Sequence, residues 1–119
     1  MTDREVSTSQ FGKFIYLDFW ATWCGPCIKE FPRLKKLSEQ YNKDKFEIIG
    51  IVGASKSDAI KKVIEKRGVN WRQIHSDKIV DKYQIREYPT TFLISPDGKI
   101  IGKNIRGEEL EKRLAELIQ

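Results

Sequence analysis

Cysteine and histidine are scarce in this sequence, which has two cysteines and one histidine among its 119 residues. A structural zinc site needs more thiolate or imidazole ligands than Cys24, Cys27 and His75 supply. A chain of this length also builds a hydrophobic core that needs no disulfide to hold it together. Structural and zinc-binding roles stay open, and a redox role for the cysteine pair is the interpretation that we favour.

Long hydrophobic runs are missing as well. No apolar stretch approaches the roughly 20 residues of a membrane-spanning helix, and residues 1–7 lack the apolar core of a secretory signal. A hydrophobic content of 39% and a charged content of 33% are typical of a globular protein. Repeats, linkers and low-complexity segments are absent, so we expect a single domain over residues 1–119, with residues 1–12 flexible.

The charge of the chain shows no long block of one sign. The net charge of +5 comes from 22 basic and 17 acidic residues, and the acids are interleaved with the lysines. No combined aromatic and basic motif accompanies this charge. We therefore interpret the excess of lysine as a solvated surface and not as a nucleic-acid groove.

The two cysteines follow closely on a strongly apolar stretch. Residues 14–20 are apolar on both alternating faces, which predicts a central strand covered on both sides. Cys24 and Cys27 then lie at the start of the next predicted helix. Free amide groups and the helix dipole favour an anion there, so the Cys24 thiolate should be more populated than in a free peptide. Two cysteines at this spacing close a small disulfide and pass it on through a mixed disulfide.

The predicted elements run in the order strand, helix, strand, helix, short helix, strand, strand, helix. Pro32 interrupts the helix after the cysteines and should kink it. Ser57 is predicted to cap the next helix at its N-terminus and Gly68 to end it. The other predictions are strands at 46–52, 90–94 and 99–103, a turn at 95–98, a short helix at 77–83, and a final helix at 108–118 with Leu110, Leu114, Leu117 and Ile118 on one face.

Several short motifs resemble those of one protein family. The segment Trp-Cys-Gly-Pro-Cys at 23–27, the helix proline Pro32, the Tyr-Pro-Thr-Thr-Phe segment at 88–92 and the hairpin at 94–100 are similar to those of the thioredoxin superfamily. Within it, the chain resembles the TlpA- and ResA-type thiol–disulfide oxidoreductases of bacterial envelopes. The resemblance implies an α/β thioredoxin-like fold, with a central mixed β-sheet flanked by helices.

Three features favour the TlpA-type branch. Glu30 matches a glutamate near the active site of that branch, residues 6–13 resemble its lead-in to the first central strand, and the extra residues between Val52 and Pro89 fit its characteristic insertion. The additional N-terminal hairpin of the branch is largely absent. We therefore expect the chain to be a domain cut from a longer protein.

The resemblance also implies catalytic roles. Cys24, at the exposed end of the helix, attacks a disulfide of a partner, and Cys27, which lies deeper, resolves the mixed disulfide. Asp18, six residues before Cys24 in an apolar strand, accepts the proton of Cys27, and burial there should raise its pKa. The alternative is a surface carboxylate at a strand edge. Glu30 is a second candidate base, and its alternative is a solvated helix glutamate.

Substrate-binding residues follow from the same motifs. Trp23, Gly25 and Pro26 surround the cysteines and form part of the docking surface, whereas Trp20 is expected in the core. Tyr88 precedes Pro89, whose peptide bond the resemblance predicts to be cis. By resemblance, the backbone beside Pro89 stays free to pair with an extended substrate. No metal and no cofactor beyond the Cys24–Cys27 disulfide is expected.

The sequence thus predicts a thiol–disulfide oxidoreductase that reduces disulfides in partner proteins. Its expected partners are a disulfide-containing protein and an upstream thiol donor, without nucleic acid or a membrane span, and we expect a monomer. The alternatives are a redox-inactive binding or sensor module and a peroxide-reducing enzyme. The expected location is the periplasm or cell envelope, with the cytoplasm as the alternative.

Overall fold

The computed structural model describes residues 12–118. The predicted flexible segment lies outside these residues apart from Gly12, and so does the predicted lead-in apart from Gly12 and Lys13. That the chain forms one domain with most of the N-terminal hairpin missing also stays a prediction.

A five-stranded mixed sheet forms the centre of the fold, in the order β3-β2-β1-β4-β5. The first strand pairs in parallel with the second and antiparallel with the fourth, which makes it the middle strand. The short third strand at the sheet edge is an element that the sequence did not predict. The strands are β1 (Phe14–Trp20), β2 (Phe46–Val52), β3 (Arg72–His75), β4 (Thr90–Ile94) and β5 (Ile100–Lys103).

Helices cover both faces of this sheet, as expected for the predicted fold class. One face packs against the helices that follow the first two strands and against the last helix, and the other face packs against a short fourth helix. The helices are α1 (Gly25–Lys29), α2 (Phe31–Gln40), α3 (Ser57–Arg67), α4 (Asp77–Lys82) and α5 (Gly107–Leu117). The segment between β2 and β4 thus holds α3, β3 and α4, and its identity as the family's insertion stays a prediction.

The helix after the cysteines is divided in two at Glu30. Pro32 has no amide hydrogen to donate to the carbonyl of Ile28, and its ring crowds that turn, so a continuous helix cannot pass through this point. The chain bridges the break with bonds from the Glu30 amide to the Cys27 carbonyl and from the Leu34 amide to the Glu30 carbonyl. The predicted kink is therefore observed, in the form of a break between α1 and α2.

Two details of the helix predictions were wrong. Ser57 is the first residue of α3 and not its cap, since Lys56 occupies the cap position without a side-chain hydrogen bond. Leu117, predicted on the apolar face of α5, is 38% exposed because it lies in the last turn, beyond the edge of the core. The predicted end of α3 is confirmed, because Gly68 adopts a left-handed conformation with φ of +63°.

The alternation of β1 decides which side chains lie beneath the cysteines. Tyr16 and Trp20 belong to the same buried cluster as Cys24 and Cys27, whereas Ile15, Leu17 and Phe19 belong to the cluster on the opposite face. Successive strand residues point to opposite faces, so Asp18 points to the face of Tyr16 and Trp20. The fold therefore places the carboxyl of Asp18 on the side of the sheet that carries the disulfide.

Within residues 12–118, no helix combines the length and the apolar content that crossing a bilayer requires.

Candidate active site

The two cysteines form a disulfide across the first turn of α1. Cys24 caps the helix and Cys27 is its third residue, with 5.3 Å between their Cα atoms. The backbone amide of Cys27 donates a hydrogen bond to Cys24 Sγ over 3.2 Å. After reduction, the same donor would favour the charged form of the Cys24 thiol. The sequence predicted Cys24 at the start of this helix, and the structure places it at the cap position, with the Cys27 amide as the donor to its sulfur.

Cys24 is more buried than the sequence predicted, whereas Cys27 is buried as predicted. Cys24 was expected at an exposed helix end, yet it is only 4% exposed, and Cys27 is 1% exposed. The reason is that both residues belong to the main hydrophobic cluster. Gly25 and Pro26, which separate them, are exposed. Cys24 is therefore the more accessible of the two cysteines, and exposed backbone follows it directly.

Asp18 is a buried carboxylate in the middle of the sheet. It is 3% exposed, and its Oδ2 atom has no hydrogen-bond partner. Its neighbours across the sheet are Gly50 on β2 and Thr91 on β4. The alternative of a surface carboxylate at a strand edge is therefore wrong, because β1 is the central strand.

The pKa of Asp18 is raised to about 7. The main cause is burial, which disfavours the charged form, and the negative charge of Glu30 raises the pKa further. The guanidinium of Arg106 acts in the opposite direction. A carboxyl with such a pKa takes up and releases a proton near neutral pH, which an ordinary aspartate does not do.

Glu30 lies at the joint between α1 and α2 and has fixed partners. Its Oε1 atom accepts a hydrogen bond of 2.9 Å from the amide of Gly107, the first residue of α5. The same atom lies 3.6 Å from Arg33 Nε. Glu30 is therefore not the freely solvated helix glutamate of the alternative interpretation. It joins two helices and places a negative charge where it affects Asp18.

The turn before α5 contributes residues that the sequence analysis missed. The hydroxyl of Tyr16 donates to the carbonyl of Ile105 over 2.8 Å, and Arg106 Nη1 lies 3.5 Å from the carbonyl oxygen of Pro89. With the bond from Gly107 to Glu30, this turn contacts three parts of the site. No local signal could have revealed it, because the contacts join residues far apart in the sequence.

The solvent side of the disulfide carries a fixed aromatic pair. Trp23 is 65% exposed, and its ring meets that of Tyr88 edge to face at 5.6 Å between centroids. Trp23 Nε1 donates to the carbonyl of Ala54 over 2.9 Å. The peptide bond between Tyr88 and Pro89 is cis, as the resemblance predicted. Trp20 is fully buried, as predicted.

The loop 53–55 supports this pair, and it too was missed. Asp77 Oδ1 accepts from the amide of Ala54 over 2.8 Å, and Ser55 Oγ accepts from the amide of Thr22 over 3.0 Å. Gly53 allows the close approach of Tyr88, since a Cβ atom there would lie 2.6 Å from the tyrosine hydroxyl oxygen. The loop therefore ties the segment around Trp23 to the N-terminus of α4.

Metal-binding side chains do not converge in the part of the chain that the structure describes. Residues 12–118 contain no group of three or more histidine, cysteine, aspartate or glutamate side chains placed to hold a metal ion. His75 is exposed at the end of β3.

Comparisons with known proteins agree with this geometry. The redoxin family matches residues 2–118 of the chain. The thiol-disulfide oxidoreductase ResA of Bacillus thuringiensis subsp. konkukian is 34% identical over 120 residues, which cover 98% of this chain and 68% of that protein. ResA of Bacillus subtilis is 39% identical over 93 residues, which cover 76% of this chain and 51% of that protein. The chain therefore matches only part of the length of these relatives.

A solved structure shows the same fold. The thioredoxin domain of a thiol-disulfide oxidoreductase from Bacteroides vulgatus superposes with a TM-score of 0.82 and 30% sequence identity. The superposition covers 92% of this chain and 81% of that one. The predicted thioredoxin-like fold is thereby confirmed.

Proposed function

The chain belongs to the redoxin family and is a thiol–disulfide oxidoreductase, and from this premise we propose that it reduces disulfides in partner proteins, with Asp18 as the group that accepts the proton of Cys27. The observation that carries the proposal is the buried carboxyl of Asp18. It lacks a partner for one oxygen, lies on the sheet face that carries the disulfide, and has a pKa raised to about 7.

The reaction begins with the reduced protein. The Cys24 thiolate attacks one sulfur of the partner's disulfide, that bond breaks, and the released partner thiolate takes up a proton from water. The product is a mixed disulfide between Cys24 and the partner. The amide of Cys27 supports the thiolate before the attack, since it donates to Cys24 Sγ in the oxidised form.

The second step closes the Cys24–Cys27 disulfide. Asp18 accepts the proton of the Cys27 thiol, and the resulting thiolate attacks the sulfur of Cys24. The partner leaves with its second thiol, and two electrons have passed from the protein to the partner. An upstream thiol donor then reduces the protein again. Glu30 is a less suitable base, because its Oε1 atom is already bonded to the amide of Gly107.

Partner docking involves the exposed residues around the disulfide. Trp23 and Tyr88 offer apolar surface beside the cysteines, and Gly25 and Pro26 leave the approach open. The backbone next to Pro89 pairs with an extended segment of the partner. Trp23 is held by Tyr88 and by the carbonyl of Ala54. Its side chain therefore loses little conformational entropy when a partner binds.

The two alternatives have weaker support. A redox-inactive binding module has no need of a paired Cys24 and Cys27 or of a proton acceptor beneath them. A peroxide-reducing enzyme would need groups that bind peroxide, and neither the sequence nor the described residues supply an arrangement of that kind beyond the cysteine pair.

We further propose that the protein works as a monomer in the cell envelope and needs no cofactor other than its own disulfide. The location is supported by the resemblance to reductases of bacterial envelopes. Reading the genomic frame upstream of residue 1 tests it. An exported segment in that frame is the expected result, and a stop codon directly before Met1 would contradict it.

Reduction of insulin disulfides with dithiothreitol as the electron source tests the activity. We expect the native protein to accelerate the reaction and the Cys24→Ser variant to have no effect. The Cys27→Ser variant should accumulate mixed disulfides, which identify partners in the native host. If the native protein does not exceed dithiothreitol alone, the reductase proposal fails.

A further inference from the structure

An apolar groove begins directly beside the disulfide, and neither Trp23 nor Tyr88 is among its lining residues. It starts at Gly25 and Pro26, the two exposed residues between the cysteines, and continues along α1 and the start of α2. Its apolar surface comes from Pro26, Ile28 and Pro32. A partner whose sulfur is bonded to Cys24 must bring the adjoining part of its chain to this groove or to the aromatic pair.

Two cations border the groove from different helices. Lys29 lies in the last turn of α1 and Arg67 is the last residue of α3, and both are exposed. No carboxylate is among the six residues that line the groove. Among the described residues, neither Lys29 nor Arg67 has an ion-pair partner. A positive charge at a helix C-terminus is ordinary, but the shared apolar groove places these two charges around one surface.

The surroundings of the aromatic pair have a different electrostatic character. Burial is the main cause that raises the pKa of Tyr88, and the nearby carboxylates of Asp77 and Asp81 raise it further. The surroundings of the aromatic pair therefore include negative charge, whereas the lining of the groove includes only positive charge. The groove lining thus holds cations without a carboxylate, whereas two carboxylates and the guanidinium of Arg106 all lie near the aromatic pair and Pro89.

Building on the proposed function, we propose that the groove holds an acidic segment of the partner polypeptide, next to the partner's disulfide-forming cysteine. An apolar side chain of this segment packs on Pro26, Ile28 and Pro32, and its carboxylates pair with Lys29 and Arg67. Each such pair at the rim of an interface contributes on the order of 0.2 to 1 kcal/mol. Two pairs therefore select acidic over neutral segments roughly two- to thirtyfold.

Two synthetic peptides test the proposal. Both carry the same disulfide loop, which is flanked on each side by Leu-Glu-Glu in one peptide and by Leu-Lys-Lys in the other. Single-turnover reduction by the reduced native protein should be faster for the glutamate peptide, and the difference should shrink as the ionic strength rises. Equal rates, or a faster rate for the lysine peptide, would overturn the inference.

Charge variants identify the cations that cause the preference. The double variant Lys29→Glu/Arg67→Glu should prefer the lysine peptide, and the milder Lys29→Gln/Arg67→Gln should show little preference. The matched control is Lys45→Glu, an exposed residue whose carbonyl accepts from the amide of Phe14, at the end of β1 away from the cysteines. The control should keep the native preference. If the glutamine double variant keeps it as well, the groove is not the docking surface.

An uncharged substrate separates this inference from the proposed function. Reduction of 2-hydroxyethyl disulfide by the native protein depends on the cysteines and not on a charged segment. If this disulfide is reduced while the two peptides react equally, only the docking inference fails. If the native protein reduces neither this disulfide nor the peptides, the reductase activity and the docking inference both fail.

Discussion

The sheet side and the solvent side of the disulfide are built in opposite ways. On the sheet side, Asp18 is buried, and one of its carboxyl oxygens has no hydrogen-bond partner. On the solvent side, Trp23 is 65% exposed, yet its ring nitrogen is bonded to Ala54 and its ring packs against Tyr88. The buried group is thus free to change its protonation, and the exposed group is fixed in position.

This difference matches what the proposed mechanism requires of each side. A carboxyl held by several donors would keep a low pKa and could not take a proton near neutral pH. A loosely held surface tryptophan would lose conformational freedom on every docking event. In the proposed mechanism, Asp18 therefore lacks a partner for one oxygen where a proton is transferred, and Trp23 has fixed partners where a protein docks.

The largest effect is expected from the cysteines themselves, because both sides serve them. Cys24→Ser should abolish the reduction of every disulfide substrate, whereas Cys27→Ser should stop after the first step with a stable mixed disulfide. Mass spectrometry of the products under non-reducing conditions distinguishes the two. Alkylation at graded pH should modify Cys24 first, with an apparent pKa below the free value of about 8.5. Equal rates for both cysteines would reverse the assignment of attacking and resolving thiols.

The next effect concerns the sheet side. Asp18→Asn should slow turnover at neutral pH by roughly two orders of magnitude, the scale expected for loss of a general base. Rapid mixing should locate the loss in the closing of the disulfide, with the mixed disulfide accumulating. The first attack by Cys24 should keep its rate. If both steps proceed at the native rate, Asp18 is not the proton acceptor.

Asp18→Asn should also change the stability in a direction unusual for a buried site. The pKa of Asp18 in the folded protein is raised from 3.8 to about 7. The stability that Asp18 contributes to the folded protein is therefore fully present below about pH 4 and is lost as the pH rises through 7. The asparagine variant does not titrate here and does not lose stability in this way. Its unfolding free energy should exceed that of the native protein above pH 7, by up to about 4 kcal/mol, and the gain should vanish near pH 4. Urea unfolding at several pH values measures it, and a gain that is independent of pH would contradict the raised pKa.

A smaller effect is expected from Glu30, which influences the sheet side through its charge. The amide oxygen of Glu30→Gln can still accept from Gly107, so the fold should persist. Because the charge of Glu30 raises the pKa of Asp18, the pH profile of turnover should shift to lower pH. Glu111→Gln is the matched control, since it removes another carboxylate paired with Arg33. A large loss of turnover without a shift of the profile would make Glu30 the base.

The smallest effect is expected on the solvent side. Trp23→Ala should raise KM for a protein substrate by about fivefold, as a lost aromatic contact of roughly 1 kcal/mol implies. It should leave the reduction of 2-hydroxyethyl disulfide unchanged, and the stability should move by less than about 0.5 kcal/mol, because the side chain is exposed. Tyr88→Phe keeps the ring pair and serves as the control. An equal loss for both substrates would mean that Trp23 shapes the disulfide itself.

Elements with a strong local signal could be predicted from the sequence. Residues 14–20 and 46–52 form strands at the predicted bounds, because their apolar residues leave no polar face. The cis peptide bond before Pro89 and the burial of Asp18 also agree with the predictions. The family resemblance pointed to the proline, and the apolar surroundings in the strand pointed to the aspartate.

Features that depend on distant contacts could not be predicted. The strand Arg72–His75 has too few apolar residues to be recognised, and it forms because β2 offers a parallel edge. The bond between Glu30 and Gly107 joins residues that are 77 positions apart. The burial of Cys24 was also missed. A position at the start of a helix suggests exposure, but Cys24 packs within the main hydrophobic cluster and is buried there.

The contacts of the turn before α5 have a consequence for the synthesis of the protein. The cysteines lie near residue 25, whereas Thr91 and the turn at 105–107 leave the ribosome much later and are needed to enclose Asp18 and to hold Glu30. During synthesis the two thiols are therefore available before the carboxyl beneath them has its final surroundings. A nascent chain carries ordinary cysteines, which any oxidant or neighbouring thiol can use. In the proposed mechanism, the proton acceptor is therefore complete only after residues 91–107 have been made and have folded back.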